Sequence, residues 1–289
     1  MKKTVLFASA AMCMAMVSCN GNKAAQNADA AAATDSVPAV TYNVIEKEQV
    51  DLSSFPQDKD GYYVIFDGKT MNGWRGYGRD TIPARWTVED GCIKFSGTGG
   101  GEAQSNTGGD IIFSNKLKNF EMELEWKVSK GGNSGIFYLA QEVEAPNSKG
   151  EMELQPIYIS APEYQVLDNA NHPDAKLGKD GNRQSASLYD MIPAVPQNQN
   201  PAGEWNKAKI MVYKGTVVHG QNGENVVEYH LWTPQWTEML EASKFSSEKW
   251  PIAFELLNNC GGENHEGYIG FQDHGDDVWF RNIRIKPLD

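Results

Sequence analysis

The sequence predicts an all-β sandwich with one or two short helices, and three observations support this prediction. Short runs of alternating apolar and polar residues recur along the chain, two-residue turn signals separate several of them, and only one short stretch favours a helix. The clearest run is 120–128, where every second residue is apolar and the residues between are Glu or Lys. Because strand side chains alternate between two faces, one face of this run should contact a core. Many short strands with little helix are typical of a sandwich.

The other elements follow in order along the chain. The predicted strands are 62–66, 86–89, 92–96, 110–113, 120–128, 136–140, 161–168, 207–213, 217–221 and 224–229. Asp90-Gly91 and Asn222-Gly223 each separate two of these strands and are strong signals for hairpin turns. Thr233 and Pro234 predict the start of one short helix over 235–242, because threonine caps a helix and proline suits its first position.

The last predicted strands lie in the stretch 267–286. Two strand-like runs meet there at a polar turn, and we predict a hairpin whose polar face carries Gln272 and His274. The apolar period slips by one residue near Asn282, which predicts a bulge. This hairpin is a candidate wall of a binding site, and the alternative is a structural histidine in an acidic turn.

The N-terminus predicts export. Lys2 and Lys3 precede an apolar run that is too short to remain as a membrane span, so residues 1–18 are predicted to be a signal peptide. The run ends Met16-Val17-Ser18-Cys19, which resembles the lipobox of bacterial lipoproteins and predicts a lipid on Cys19.

A tether is predicted to follow the lipidated cysteine. Residues 19–41 are mostly small or polar and contain no aromatic residue, so they cannot bury enough surface to fold. The folded domain is then 42–289. We expect a membrane lipoprotein that faces the periplasm or the cell surface.

The charge of the chain indicates which partners it can bind. The formal net charge is −12, which argues against nucleic acid as a partner and leaves the lipid anchor as the expected contact with a membrane.

Two cysteines lie in the predicted domain. Cys13 lies in the signal peptide and Cys19 is the predicted lipidation site, so Cys92 and Cys260 are the two cysteines of the domain. They could form a disulfide or remain buried thiols, and the sequence does not decide between the two.

A candidate site lies around the strand 161–168. Because side chains alternate along a strand, Glu163 and Gln165 should share one face. Asp168 ends the strand and His172 lies in the loop that follows it. A carboxylate near an imidazole suits proton transfer at neutral pH. A solvated polar edge is the alternative interpretation.

Residues elsewhere could complete this site. Asn133, Tyr189 and Gln272 supply amide and phenol groups of the kind that bind sugar hydroxyls and sugar rings. A divalent cation could bind where the members of either of two sets of residues come together, although neither set has a specific ligand spacing. The two sets are His172, Asp168 and Asp174, and His274, Asp273 and Asp276.

A second candidate site lies on the strand 120–128. Glu121, Glu123 and Glu125 share one face of it, and a retaining glycosidase uses a pair of carboxylates. The alternative is a solvated charged face, which the Glu-x-Glu-x-Glu spacing favours.

Five segments together resemble one enzyme family. They are Ile65 to Trp74, Gly132 to Tyr138, Pro162 to Asn169, Gly270 to Gly275, and Val278 to Ile283. They are similar to the 3-keto-disaccharide hydrolase domain family, which is also described as 3-keto-glucoside 1,2-lyase/3-keto-2-hydroxy-glucal hydratase. The resemblance covers about 62–288 and implies a concanavalin A-like jelly-roll sandwich. A long excursion from Glu142 to Ile159 is unusual for the family.

The resemblance implies a substrate that is a glucoside oxidised at C3. Its ketone acidifies the C2 hydrogen, so a base can start an elimination at C1, and the resulting glucal can be hydrated. We assign the base to Glu163 or His172, and the acid or the enolate-stabilising group to His274. The hydroxyl contacts fall to Gln165, Gln272, Asn133 and Tyr189, with Asp168 as a further substrate-binding candidate.

The resemblance also implies a functional link to an oxidoreductase that produces the 3-keto sugar. The residues are also compatible with two other functions. One is a carbohydrate-binding sandwich without catalysis, and the other is a retaining glycosidase that uses Glu123 with Glu125 or Glu163.

Overall fold

The computed structural model describes residues 40–98 and 107–289. The predicted signal peptide at 1–18, the lipidation site Cys19 and most of the tether at 19–41 lie outside the described residues. Within the described ranges no helix is long and apolar enough to cross a bilayer.

Strands account for most of the regular structure in these ranges. The strands are β1 (Asn43–Val44), β2 (Tyr63–Val64), β3 (Trp74–Gly76), β4 (Trp86–Glu89), β5 (Cys92–Phe95), β6 (Ile111–Leu117), β7 (Phe120–Val128), β8 (Asn133–Ala140), β9 (Val143–Pro146), β10 (Met152–Leu154), β11 (Glu163–Leu167), β12 (Asn206–Tyr213), β13 (Thr216–Gln221), β14 (Glu224–His230), β15 (Gly267–Phe271) and β16 (Val278–Pro287). The helices are α1 (Pro234–Ala242) and α2 (Pro251–Asn258), and short 3₁₀ turns cover Leu52–Ser54, Ile157–Ile159 and Pro173–Lys176.

Two large antiparallel sheets form the jelly-roll sandwich that the sequence predicted. The larger sheet has the order β14-β13-β12-β7-β16-β5-β4, with β2 paired to β16. The five-stranded sheet has the order β11-β8-β15-β6-β3. The excursion from Glu142 to Ile159 contributes β9 and β10 to a small third sheet with β1, and ends in the 3₁₀ turn Ile157–Ile159.

The core lies between the two large sheets. Phe271 on β15 stacks on Phe280 of β16, with ring centroids 4.0 Å apart and ring planes within 9°. Trp74 on β3 also stacks on Phe271, with ring centroids 4.9 Å apart. Such aromatic pairs contribute about 1 kcal/mol each beyond the burial of their surface.

The predicted hairpin over 267–286 is wrong. The strand β15 pairs with β6 and β8 in the five-stranded sheet, whereas β16 pairs with β7, β5 and β2 in the larger sheet. The polar segment between them therefore crosses from one sheet to the other. Phe271 and Phe280 face each other across the core, which two neighbouring strands of one sheet could not achieve.

Several local predictions are confirmed. Glu89 pairs with Cys92 across Asp90-Gly91, and β12, β13 and β14 are neighbours as predicted. The register of β16 on β7 shifts next to Asn282, whose φ is +53°. The Thr233 side chain caps α1 by accepting a hydrogen bond from the amide of Trp236.

Other features were missed or left open by the sequence. The position of helix α2 was not predicted, and the residue that precedes it, Trp250, makes no side-chain capping hydrogen bond. Cys92 and Cys260 are both buried free thiols. Burial raises the pKa of the Cys260 thiol well above its usual range.

A buried histidine links the two large sheets. His219 on β13 donates a hydrogen bond from Nδ1 to the carbonyl of Ala186, at 2.9 Å, and its Nε2 accepts one from the hydroxyl of Tyr138 on β8, at 2.8 Å. Tyr229 on β14 is hydrogen bonded to the same Tyr138 hydroxyl. Burial lowers the pKa of His219 to about 4, although the hydrogen bond to Ala186 opposes this shift.

We expect His219 to make the fold sensitive to acid. The unfolded chain binds a proton at His219 near pH 6.5, whereas the folded protein does so only near pH 4. The free energy of unfolding should therefore fall by about 3 kcal/mol on this account as the pH drops through that window. Urea denaturation at pH 7 and pH 4.5 measures the loss.

The matched variants are His219→Gln and His230→Gln. His219→Gln should be less stable at pH 7 but should lose less stability on acidification. His230→Gln changes an exposed histidine and should keep the full acid dependence. Equal acid dependence in the unchanged protein and in His219→Gln would contradict the assignment.

Candidate active site

The outer face of the five-stranded sheet carries the side chains predicted to form a site. On β11, Tyr164 and Val166 lie in the core, so Glu163 and Gln165 point to the opposite face. Gln165 lies opposite Gly135 on the neighbouring strand β8. These positions form one row across the sheet.

The crossing segment extends this row on the other side of β8. The amide of Gln272 donates a hydrogen bond to the carbonyl of Gly135, at 3.0 Å. The carbonyl of Gln272 accepts one from the hydroxyl of Ser134, at 2.8 Å. Gln165, Gly135 and Gln272 are therefore held in fixed register by main-chain contacts.

Gly135 makes room for the Glu163 carboxylate. A Cβ atom added at Gly135 would overlap Oε1 of Glu163. The carboxylate thus lies over the glycine on the outer face of the sheet. The Glu163 residue is only 8% exposed, so its carboxylate is largely shielded from water.

The two predicted histidines lie next to each other. The ring centroids of His172 and His274 are 6.2 Å apart and the rings are nearly perpendicular. His172 caps the 3₁₀ turn Pro173–Lys176, because its Nδ1 accepts a hydrogen bond from the amide of Asp174, at 3.1 Å. His274 lies in the crossing segment two residues after Gln272.

The environment favours a neutral imidazole at His274. Burial lowers the pKa of His274, and the nearby His172 lowers it further, whereas Asp276 and Asp174 raise it. The net shift is downward, so near neutral pH the ring is mostly uncharged. A neutral imidazole can accept a proton, and its protonated form is a stronger acid than usual.

A charged network joins the histidine loop to β11. Arg183 donates to Asp174 at 2.9 Å and to Asp190 at 2.6 Å. The Tyr189 hydroxyl donates to Asp174 at 3.0 Å, and the Tyr189 amide donates to the carbonyl of Glu163 at 3.1 Å. Glu163 and the loop that carries His172 are thereby fixed to the same turn.

The carboxylates around Tyr189 change the pKa of its hydroxyl. Burial raises the pKa of Tyr189, and the charges of Glu163 and Asp174 raise it further. The phenol therefore stays protonated and acts as a hydrogen-bond donor. The predicted residues Glu163, Tyr189, His172 and His274 are thus brought into one connected region, in which their chemical roles remain predictions.

The other predicted binding residues differ in what their side chains contact. Asp168 accepts hydrogen bonds from the amides of Gly131 and Ala170 and from the side chain of Asn171. These bonds stabilise the loop that follows β11. The side-chain oxygen of Gln165 accepts a hydrogen bond from the amide of Val166, at 2.9 Å.

Asn133 contrasts with these two residues. It is 4% exposed, and within the described ranges its side-chain oxygen has no hydrogen-bond partner. This oxygen therefore lacks the partner that a buried acceptor usually has. A separate cavity of about 510 Å³ lies beside the loop that follows β11, and its lining includes Asp168, Asn169 and Asn171.

The two suggested sets of metal ligands do not assemble. In the part of the chain that the structure describes, no group of three or more His, Cys, Asp or Glu side chains is arranged to hold a metal ion. The Asp273 carboxylate accepts hydrogen bonds from the amides of Gly109 and Gly275. The Asp276 carboxylate accepts one from the amide of Asn133.

A larger cavity, of about 810 Å³, lies elsewhere, on the outer face of the larger sheet. Glu123 and Glu125 line it together with Arg284. Glu123 pairs with Arg284 at 2.6 Å, and Glu125 pairs with Arg281 at 2.7 Å. Because each carboxylate is bound by an arginine, we interpret this face as structural.

Three groups near Glu163 were missed from the sequence. Lys244, Arg183 and Asp190 come from segments that no motif connects with β11. Burial lowers the pKa of Lys244, whereas the charges of Glu163 and Asp190 raise it, and the Lys244 amide donates a hydrogen bond to Asp190. A lysine just after a short helix carries no sequence signal for such a position.

Comparisons with known proteins agree with the resemblance seen in the sequence. The family model described as the 3-keto-alpha-glucoside-1,2-lyase-like domain matches residues 61–286. A protein of Bacteroides thetaiotaomicron called 3-keto-disaccharide hydrolase is 69% identical over 293 residues, with the whole of both chains covered.

Solved structures share the fold. A crystal structure of a candidate glycosyl hydrolase from Parabacteroides distasonis is 28% identical, with a TM-score of 0.63, and the match covers 86% of this chain and all of that one. A second such protein from the same organism is 23% identical, with a TM-score of 0.51, covering 75% of this chain and all of the other. The second comparison supports the fold alone.

The contact between the two histidines can be tested by titration. We expect the imidazole of His274 to titrate below pH 6.5, and its pKa to rise when His172 is replaced by glutamine, because a neighbouring positive charge is then removed. Histidine NMR resonances followed over pH 4 to 8 give the pKa. His230→Gln is the control and should leave the pKa of His274 unchanged, and the same result for His172→Gln would contradict the proximity.

Proposed function

Since the chain belongs to the family of 3-keto-alpha-glucoside-1,2-lyase-like domains, we propose that it cleaves 3-keto disaccharides, with water consumed overall. We further propose that cleavage proceeds by elimination at C1 followed by hydration of the glucal. The observation that carries this proposal is the shielded Glu163 carboxylate over Gly135, on the same face as Gln272 and close to the turn that holds the histidine loop.

The first step is removal of the C2 proton. The C2–H bond breaks, its proton moves to Glu163, and the electron pair passes into the C3 carbonyl to give an enolate. Glu163 suits the base role because its carboxylate is largely shielded from water. His172 is less suited, because its Nδ1 accepts the amide hydrogen of Asp174 and its ring serves as a cap.

The second step is expulsion of the group at C1. The enolate electrons re-form the C3 carbonyl and a C1=C2 double bond, the C1–O bond breaks, and the leaving oxygen takes a proton. We assign this proton to His274, which lies two residues after Gln272 and beside His172. Water then adds at C1 and gives a proton back to His274, while Glu163, whose proton exchanges with solvent, protonates C2 and completes the hydrolysis.

The polar groups around Glu163 and His274 would bind the substrate. Asn133 offers a buried side-chain oxygen to a sugar hydroxyl, and the Tyr189 ring offers a flat surface. Gln165 and Gln272 lie on the same outer face. An enzyme that oxidises sugars at C3 must supply the substrate, so we expect a functional link to such an oxidoreductase.

We also propose that the protein works as a membrane lipoprotein. Residues 1–18 would direct export, Cys19 would carry the lipid, and 19–41 would tether the domain. The domain would then face the periplasm or the cell surface, where small glycosides are accessible.

Heavy water distinguishes the proposed mechanism from its alternatives. We expect the enzyme to cleave a 3-keto-glucoside in D₂O with deuterium entering at C2, beyond the exchange seen without enzyme. Glu163→Gln and His274→Gln should each lower kcat/KM by about 100-fold or more, with circular dichroism and Tm close to those of the unchanged protein. NMR of the product and a coupled sugar assay provide the measurements.

Glu123→Gln is the matched control on the larger sheet and should keep full activity. Cleavage without deuterium at C2, together with loss of activity in Glu123→Gln, would point to a retaining glycosidase. Binding of the sugar without turnover would point to a carbohydrate-binding module.

Lipidation can be tested through the cysteines of the N-terminus. In a bacterial host, the unchanged protein should fractionate with membranes and incorporate labelled fatty acid, and Cys19→Ser should do neither, because Cys19 is the only proposed attachment site. Cys13→Ser is the control and should remain lipidated. Labelling of Cys19→Ser at the same level as the unchanged protein would contradict the proposal.

A further inference from the structure

Lys244 is held beside the candidate site by its own main chain. It follows Ser243, which ends α1, and its amide donates a hydrogen bond to a carboxylate oxygen of Asp190, at 2.9 Å. Asp190 adjoins Tyr189, whose amide is bonded to the carbonyl of Glu163. The end of α1 is thereby fixed to the turn that borders β11.

Aromatic rings surround the Lys244 ammonium. Its Nζ lies 4.4 Å from the ring centroid of Tyr189, 4.9 Å from that of Phe245 and 5.7 Å from that of Tyr158. Ring faces attract a cation but supply no acceptor oxygen. The side chain is thus half-buried on an aromatic wall, where its three N–H donors need acceptors.

The neighbouring charges are distributed unevenly. Arg183 pairs with both Asp174 and Asp190, whereas Lys244 forms no ion pair within the described ranges. Among the carboxylates, Glu163 has the largest effect on the pKa of Lys244 and raises it. The ammonium lies on the ring of Tyr189, whose amide is bonded to the carbonyl of Glu163, and within the described ranges no ion pair joins Lys244 to Glu163.

We propose that Lys244 is a further catalytic residue, whose ammonium donates a hydrogen bond to the C3 oxygen of the substrate and stabilises the enolate. This inference rests on the proposed function. When Glu163 takes the C2 proton, one negative charge moves from its carboxylate to the C3 oxygen, and Lys244 keeps its own proton throughout. No bond to Lys244 forms or breaks.

The separation between Lys244 and Glu163 is what makes this role effective. An ammonium in direct contact with the carboxylate would stabilise the base before reaction and make it a weaker base. An ammonium on the aromatic wall can instead contact the oxygen on which charge develops, and this interaction is stronger in the transition state than in the ground state. Burial, which lowers the pKa of Lys244, also makes it a better hydrogen-bond donor.

The test is the rate of C2 exchange in D₂O with a 3-keto-glucoside. Lys244→Met should lower this rate by about 100- to 1000-fold, as is usual for loss of one donor to a developing oxyanion. The primary isotope effect with substrate deuterated at C2 should rise towards its intrinsic value, because proton removal becomes fully rate-limiting. A purely structural role would not change the isotope effect.

Lys127→Met is the matched control. Lys127 also lies on aromatic rings, 4.6 Å from Trp279 and 4.9 Å from Trp205, but on the larger sheet. It should keep the full exchange rate. Lys244→Ala with added propylammonium should regain at least tenfold of the lost rate, and this rescue tests the proposal even if Lys244→Met folds poorly.

The outcomes separate this inference from the proposed function. Normal exchange in Lys244→Met, or a loss that propylammonium does not restore in a folded Lys244→Ala, would overturn the role of Lys244 alone. Trapping of the substrate on Lys244 by borohydride would overturn it as well, because that result requires a covalent imine. No exchange by the unchanged enzyme would overturn the proposed function and this inference together.

Discussion

The packing of the two sheets determines which side chains can form the site. Tyr164 and Phe271 face the core, and Phe271 stacks on Phe280 of the opposite sheet at 4.0 Å. Because side chains alternate along a strand, burying these rings directs Glu163 and Gln272 to the outer face. A slip of one residue in β11 or β15 would exchange the core and site residues.

The crossing between β15 and β16 has a second consequence. A hairpin would have kept the segment after Gln272 at the edge of one sheet. Because the chain instead passes from the five-stranded sheet to the larger one, His274 emerges at the end of the sandwich, where the loop carrying His172 also lies. The carboxylate of Asp273 fixes this path through the amides of Gly109 and Gly275.

The sequence predicted those features that depend on local periodicity. The period of two placed Glu163 and Gln165 on one face, and the Thr233 cap located α1. The path after Gln272 could not be predicted, because a polar turn between two apolar runs looks the same in a hairpin and in a crossing. Lys244 could not be found either, since its position depends on how α1 packs against a turn about fifty residues earlier in the chain.

The ketone at C3 changes what a glycoside-cleaving site must contain. A retaining glycosidase needs a second carboxylate about 5–5.5 Å from the first, as its nucleophile or acid/base partner. Around Glu163 the described carboxylates are already engaged, since Arg183 binds Asp174 and Asp190. Elimination beside a ketone needs one base, a donor for the enolate oxygen and an acid for the leaving group. A shielded carboxylate, a lysine held off it on an aromatic wall and the imidazole of His274 match those three requirements.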